Sequence, residues 1–439
     1  MRFGTERIAR DKIQMKSNGF MELCRKIKGA FSRSRKLPLF MLLLTILERT
    51  GKTLSIELRG FKKTGIVKEK ISKTGYLKAR KKLNPVALLR LVQFHNRGLY
   101  DDGEMKDYKG YLVLAEDGSS LNVPTTAETL KKWGNASHKN AAPQANIGLS
   151  CLYDCINKSI LTVGIHKHKF KEAEQAEKHI SDLPELVGDK KSILMLDRGY
   201  PSIPLFLRLN GQGQKYVVRL GSTYFKAERK NMKTNDETVD IAITKSRLQN
   251  YKGTSDYGMM VAAGTLSLRL VNFTLPSGTV ECLATNLPEQ EFSTDEITSL
   301  YPYRWGIETA FDTLKNKLSI ENFTGTTPIM IEQDIFASIY VCNLASDMIA
   351  DAEAQIAEDG LYSDYKHKMA INRAFAIGIL KDMLIAAILA DSHDEQDAIF
   401  DQMIDEIKDE VLPVRPKRHY KRKKGLTASK FHNNRKSTF

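Results

Sequence analysis

Cysteine is scarce in this chain: five among 439 residues, at Cys24, Cys151, Cys155, Cys282 and Cys342. No pair of close spacings repeats among them, so they supply neither a disulfide framework nor a zinc cluster. Cys151 and Cys155 fall inside an alternating, strand-like stretch and read as buried thiols. This usage fits a reducing compartment. Long apolar runs are missing as well. The run Leu39–Leu47 is too short to cross a bilayer. Its flanks, Pro38 before and Glu48-Arg49 after, suit a core helix, and no membrane partner is expected. Residues 1–37 are basic and show no secretory signal. Tryptophan occurs twice, at Trp133 and Trp305. Residues 413–439 contain no acidic residue at all.

What the chain has in excess is positive charge. Lysine and arginine number 67 against 52 aspartates and glutamates, a formal net charge of +15. Such a balance points to a polyanionic partner, nucleic acid first. Hydrophobic residues make up 42%, enough for true cores. The length suits roughly two to four domains.

Residues 1–95 read as a basic helical region, with helices near 37–48 and 53–61. Another starts at Ser72, a capping residue, and ends near Pro85. Lys73, Lys78, Arg80, Lys81 and Lys82 on that last helix are candidate DNA contacts. They also fit the solvated face of an ordinary helical subdomain. From Gly110 the order becomes β-β-β-α-β-α. Strands are expected at 111–115, 146–153 and 159–165, a helix at 169–180, an apolar strand at 191–196 and a helix at 201–209. That order predicts a mixed α/β sheet over residues 105–213. Residues 214–290 hold strand-like runs at 215–220, 238–243, 259–263, 266–271 and 280–285, and read as a β-rich insertion. Helical patterns return over 291–345, with a reset near Pro302, and over 346–412. The tail, 413–439, repels itself and suits contact with phosphates.

Three carboxylates stand where chemistry needs them. Asp117 follows the first strand of the sheet and Asp197 the later apolar one. Glu308 lies on a helix with Arg304 and Lys315, which fall within about 40° of it at roughly 100° per residue. Ile307, Ala310, Phe311, Leu314 and Leu318 form the adjacent packing stripe. Converging carboxylates repel one another without cations. As hard oxygen ligands they suit Mg²⁺ or Mn²⁺. Two such ions activate water and stabilise the leaving oxygen in phosphodiester cleavage. Tyr301, Arg304 and Lys315 are the candidate phosphate contacts. Each acid alone also has an ordinary reading. An aspartate before glycine is a common turn residue, and Glu308 fits a surface pair with Asp312 and Lys315. Trp133, His138 and Lys139, between the first two strands, fit a surface loop with one buried aromatic, or DNA contact. His166 and His168 read as solvated, or as weak phosphate contacts, rather than as zinc ligands.

The segment Leu300-Tyr-Pro-Tyr-Arg-Trp-Gly-Ile-Glu-Thr-Ala-Phe-Asp-Thr-Leu-Lys spaces Tyr301, Arg304, Glu308 and Lys315 by two, three and six residues. It resembles the signature helix of IS4-type insertion-sequence transposases. Cys282-Leu-Ala-Thr-Asn-Leu, Ile320-Glu-Asn-Phe-Thr-Gly, Asp197-Arg-Gly-Tyr and Glu116-Asp-Gly-Ser are similar too, and the likeness covers residues 105–345. It implies an α/β fold: an RNase H-like catalytic core with an inserted β subdomain, flanked by helical regions. It implies a DDE triad of Asp117, Asp197 and Glu308, catalytic and metal-binding, with Mg²⁺ or Mn²⁺. Double-stranded DNA with terminal inverted repeats and target DNA are the implied partners. A homodimer in a synaptic complex, in the cytoplasm on the bacterial nucleoid, is implied as well. The best-known relatives pass through a DNA hairpin, assisted by a tryptophan in the β insertion. This chain has none there, which leaves Tyr224, Phe225 or Tyr251 as stacking candidates. The same residues fit a DDE-type nuclease without strand transfer, or a copy that only binds DNA.

Overall fold

The apolar runs in the middle of the chain pair into one eight-stranded sheet in the computed structural model, which describes residues 3–32, 36–137, 142–275 and 277–415. In chain order the strands are β1 (Leu112–Asn122), β2 (Asn146–Asp154), β3 (Ser159–Lys167), β4 (Ser192–Leu196), β5 (Lys215–Leu220), β6 (Asp236–Ala242), β7 (Thr265–Thr274) and β8 (Val280–Thr285). Across the sheet they stand β3-β2-β1-β4-β5-β8-β7-β6. β1, β4 and β5 run parallel, and the other pairings are antiparallel. β4 is buried at every position, as a parallel strand covered on both faces must be.

The longer helices are α1 (Phe3–Lys16), α2 (Leu39–Leu47), α3 (Leu54–Lys63), α4 (Lys73–Arg80), α5 (Val86–Asp101), α6 (Glu172–Ser181), α7 (Ile203–Gly211), α8 (Ser255–Ala263), α9 (Trp305–Asp312), α10 (Pro328–Glu358), α11 (Arg373–Leu389) and α12 (His393–Asp409). α10 is long and apolar enough to cross a membrane, but 94% of its most apolar window is buried inside the fold. It is packed by α1, α5, α11 and α12. One core lies on the face of the sheet toward α9 and α10, with Val113 and Ala115 in it. A second lies toward α6 and α7, with Leu112 and Leu114. This is the alternation of a strand buried on both sides. All five cysteines are free and buried.

The structure departs from the sequence-based expectation at one of the runs expected as strands. The run 259–263, expected as a strand, is the last turn of α8. Gly264 ends that helix with a positive φ of 63°, and Met260 alone of its run is buried. A local apolar run does not by itself separate strand from helix. The strands of the region 214–290 join the same sheet as β1–β4. β5 pairs with β4, β8 joins beside β5, and β7 and β6 extend the edge.

α1, α5 and α10 are tied by a buried polar network. His95 on α5 faces Asp11 at 2.7 Å through Nδ1 and Asp347 at 2.8 Å through Nε2. Arg7 pairs with Asp347 at 2.7 Å, and the Tyr340 hydroxyl donates to Asp11 at 2.7 Å. Both ring nitrogens meet carboxylates, so both must donate, and the imidazole is protonated. Burial opposes that charge, but Asp11 and Asp347 outweigh it and raise the pKa to about 9. A histidine pKa raised on folding adds stability that is complete below the unfolded value near 6.5 and lost as pH rises through about 9. The shift corresponds to on the order of 3 kcal/mol. His95→Gln is therefore expected to melt well below wild type at pH 6, with the gap closing above pH 9. Thermal melts of both proteins across that range check it; a gap independent of pH would refute the charged imidazole.

Candidate active site

The parallel register of β1 and β4 builds the site. Ala115 pairs with Met195, so two residues further on Asp117 and Asp197 come level at the same end of the sheet. Asp117 does not follow its strand, as expected from the sequence, but lies within it, opposite Cys151. β2 is long enough to hydrogen-bond the polar stretch after Ala115 and keeps it extended.

Alternation along β1 separates the two adjacent acids. Glu116 points to the α6 side, fully buried, and is hydrogen-bonded to His179 Nδ1 at 2.9 Å. Burial pushes its carboxyl up to about 7, with His179 opposing. Asp117 points to the α9 side. One of its oxygens accepts the Gly118 N–H at 2.8 Å, and the other lies 3.6 Å from Arg304 Nη1. Burial raises its carboxyl to about 6, against the pull of the Gly118 N–H and Arg304, and Glu172 and Asp197 add to the rise. Asp197 Oδ1 is 4.0 Å from Arg219 and is buried without a hydrogen-bond partner.

The third acid arrives on α9. A 3₁₀ turn, Tyr301–Arg304, follows the capped helix Thr294–Leu300 and leads into α9. Arg304 is 2% exposed and bridges two carboxylates, Asp117 and Glu308, donating to Glu308 at 2.9 Å. Tyr301, expected at a phosphate, is buried, and its hydroxyl donates to the Leu196 carbonyl at 3.4 Å. It anchors the helix to the end of β4, one residue before Asp197. Lys315 does not follow a regular α-helical wheel, because the helix widens into a π turn over Thr313–Lys317. Such turns re-aim side chains. Here Lys315 reaches β1 and donates to Ser119 Oγ at 2.7 Å, two residues from Asp117 on the same face.

Among the described residues, no group of three or more His, Cys, Asp and Glu side chains is gathered closely enough to hold an ion. Arg304 bridges the positions that would have to converge. The donor set nevertheless fits a hard divalent cation, being all carboxylate oxygen with one orphaned, buried oxygen on Asp197. Sequence reasoning missed Arg219, which pairs in a fork with Glu281 and lies beside Asp197. Its signal was the alternation of β5, which puts Arg219 on the same face as Val217, and Val217 packs in the α9-side core.

The proposed DNA contacts divide. Lys73, Lys78, Lys81 and Lys82 are exposed. Arg80 is not: it is 0% exposed and bonds Gln333, Thr324, the Met330 carbonyl and Asp334. It shares the buried face of α4 with Tyr76, four residues earlier. Among the described residues, an open cleft beside α4 is lined by Lys36, Lys70, Lys78 and Lys82 and by no acid, though Lys36 pairs with Glu69 at 2.6 Å. Phe225 is buried and so is no stacking platform, and Trp133 is buried too. His166 is not solvated: it is bonded to Ser150 and stacked on Phe170, and burial lowers its pKa to about 4. His168 is bonded to Asn146. His138, Lys139 and residues 416–439 of the basic tail lie outside the described residues.

Comparison with known proteins finds partial matches and one family. The chain is 36% identical over 67 residues to a putative transposase for insertion sequence element IS186A of Escherichia coli strain K12. It matches the transposase for insertion sequence element IS421 of Escherichia coli to the same degree. Each match spans 15% of this chain and only 18% of the relative. The cryo-EM structure of the piggyBac transposase synaptic complex with hairpin DNA aligns with a TM-score of 0.46 and 11% identity, over 89% of this chain and 84% of that one. That likeness is too distant to bear on the site. The model of the transposase DDE domain matches residues 108–344, more than half of the chain, and takes in β1 with Asp117, β4 with Asp197 and α9 with Glu308. The chain belongs to the transposase DDE domain family.

Proposed function

We propose that this chain is a DNA transposase that cuts insertion-sequence ends and transfers the freed 3′ hydroxyl to target DNA. The observation that carries this reading is the level placement of Asp117 and Asp197 by the β1–β4 register, with Arg304 and Glu308 docked over them. The order of β3, β2, β1, β4 and β5 supports an RNase H-like core. Asp117, Asp197 and Glu308 would hold Mg²⁺ or Mn²⁺, which supplies an activated water and stabilises the leaving oxygen. The chain's own residues do the rest. Arg304 neutralises the carboxylates and offers its guanidinium to a phosphate. Arg219 and Lys315 place positive charge on either side of it. Lys73, Lys78, Lys81 and Lys82, with the lysine-lined cleft, hold the DNA backbone, and the tail beyond 413 adds non-specific attraction. The partners are the element's terminal repeats and target DNA, held by two copies of the chain in a paired-end complex.

The test is a cleavage assay on duplex DNA carrying the element's own ends. Wild type with Mg²⁺ or Mn²⁺ is expected to nick at the terminus and to yield a joined product with target DNA. EDTA and Asp197→Asn are each expected to abolish both products. Nicking without joining would make the chain a nuclease. Specific binding without cleavage by wild type would make it a DNA-binding protein.

A further inference from the structure

The first turn of α6 brings one more carboxylate to this end of the sheet. Glu172 lies over Gly118, so close that a Cβ built there would stand 2.4 Å from its Oε1. Its other oxygen is 3.9 Å from the Cβ position of Gly199. These glycines stand one residue after Asp117 and two after Asp197. A side chain at 118 would drive the carboxylate away, so the bare backbone admits it, from the α6 side, to the end of the sheet where the two aspartates stand. The helix is held in that register from its other end. Glu172 and His179 are seven residues, two turns, apart and share a face of α6. His179 is bonded to the buried Glu116, and Glu116 and Gly118 share a face of β1.

Glu172 has gained no partner in return. No described residue gives it a hydrogen bond or an ion pair, and Asp197 is the charge that acts on it. A second group points to the same place. Tyr200, three residues after Asp197, is 2% exposed, and its hydroxyl has no hydrogen-bond partner. The charges around it are Glu116, Glu172, Asp117 and Asp197. A buried hydroxyl left unbonded and a carboxylate set against like charges both cost free energy. A hydrated divalent cation among these carboxylates relieves both, by neutralising the acids and by bringing water to the tyrosine.

We infer that Glu172 is a fourth carboxylate of the metal site, sharing the ion held by Asp117 and Asp197, with Tyr200 bonded to that ion's hydration water. This rests on the metal-binding reading of the triad, so its test includes a triad variant. Full-length wild type, Glu172→Gln and Asp197→Asn are titrated with Mn²⁺ alone, and free Mn²⁺ is followed by electron paramagnetic resonance. Melting without metal is measured in parallel. Glu172→Gln is expected to bind Mn²⁺ about 10- to 100-fold more weakly than wild type, the range seen when a metal's supporting groups are removed. It is expected to melt no lower than wild type without metal, because a like charge has gone. A merely structural glutamate would give the opposite pattern, lower melting and unchanged Mn²⁺ affinity. Gly118→Ala, which leaves Glu172 intact but displaces it, is expected to weaken binding in the same direction. Unchanged affinity in Glu172→Gln and Gly118→Ala, with loss in Asp197→Asn, overturns the inference and leaves the triad standing. Equal binding by wild type and Asp197→Asn overturns the triad reading itself, and the inference with it.

Discussion

Glu308→Gln is expected to lower metal-dependent cleavage of DNA ends by a factor of about 100 to 1,000 or more, the cost typical of removing one preorganised charge-stabilising group. Its folding and its binding to ends are expected to persist. The side chain of Glu308 is 36% exposed, so the isosteric swap disturbs no packing. The amide oxygen of glutamine still accepts from the Arg304 guanidinium, which therefore keeps a partner beside Glu308 as well as its contact with Asp117. What disappears is the charge that a divalent ion needs as a hard ligand. Single-turnover cleavage, measured beside a gel-shift assay for end binding, separates the two effects. Retained cleavage in Glu308→Gln would move the third carboxylate elsewhere. Joint loss of cleavage and binding would mean that the helix, rather than the carboxylate, had been damaged.

The second large effect is on stability. Arg80→Met is expected to destabilise the fold by about 3–5 kcal/mol, the usual cost of leaving a buried charge unpaired. Arg80 and Asp334 are both fully buried and pair at 2.8 Å. The same guanidinium also binds Gln333, Thr324 and the Met330 carbonyl, tying α4 to the start of α10. After the substitution the hydrogen bonds left to the Asp334 carboxylate among the described residues are those from the Thr324 backbone N–H and hydroxyl, with Arg49 the remaining cation that acts on it. Burial raises its carboxyl while Arg80 and Arg49 pull it down, for a net fall below the ordinary value, and Arg80, the partner lost, pulls harder than Arg49. The double variant Arg80→Met/Asp334→Leu is expected to recover most of the loss, because a well-packed apolar pair replaces a buried ion pair at little net cost. Chemical denaturation of the three proteins checks this. An Arg80→Met protein as stable as wild type, but weakened in DNA binding, would return Arg80 to the DNA-contacting set.

Arg80 shows where reading the sequence stopped. In the string Lys-Ala-Arg-Lys-Lys it looks like its neighbours, and a basic helix invites the assumption that every cation faces solvent. Its burial depends on an aspartate 254 residues away in the chain, which no local pattern announces. The run 259–263 failed differently. Five residues are too few to show whether the period is 2 or 3.6, and the decisive feature was the left-handed glycine that closes the helix. Lys315 reaches the end of β1 by a path that the helical wheel does not describe, because the wheel assumes a constant 3.6 residues per turn and the π turn breaks that assumption.

The sequence by itself determined most element types, since hydrophobic period is a local property, and it determined family, since the Tyr301, Arg304, Glu308 and Lys315 spacing is rigid along the chain. It also offered Asp117, Asp197 and Glu308 as the candidate acids, and all three fall within the span of the match to the transposase DDE domain, as do many other acids. Only the tertiary structure decided the order of the strands, the level pairing of Asp117 with Asp197, and the division between Asp117 in the cleft and Glu116 in the core. Only the tertiary structure brought Arg219 to Asp197 and Glu172 over Gly118. The reason is the same in each case. These relations join residues far apart in sequence, and they are set by which strands and helices pack against each other, a choice governed by burial summed over the whole chain rather than by any one segment.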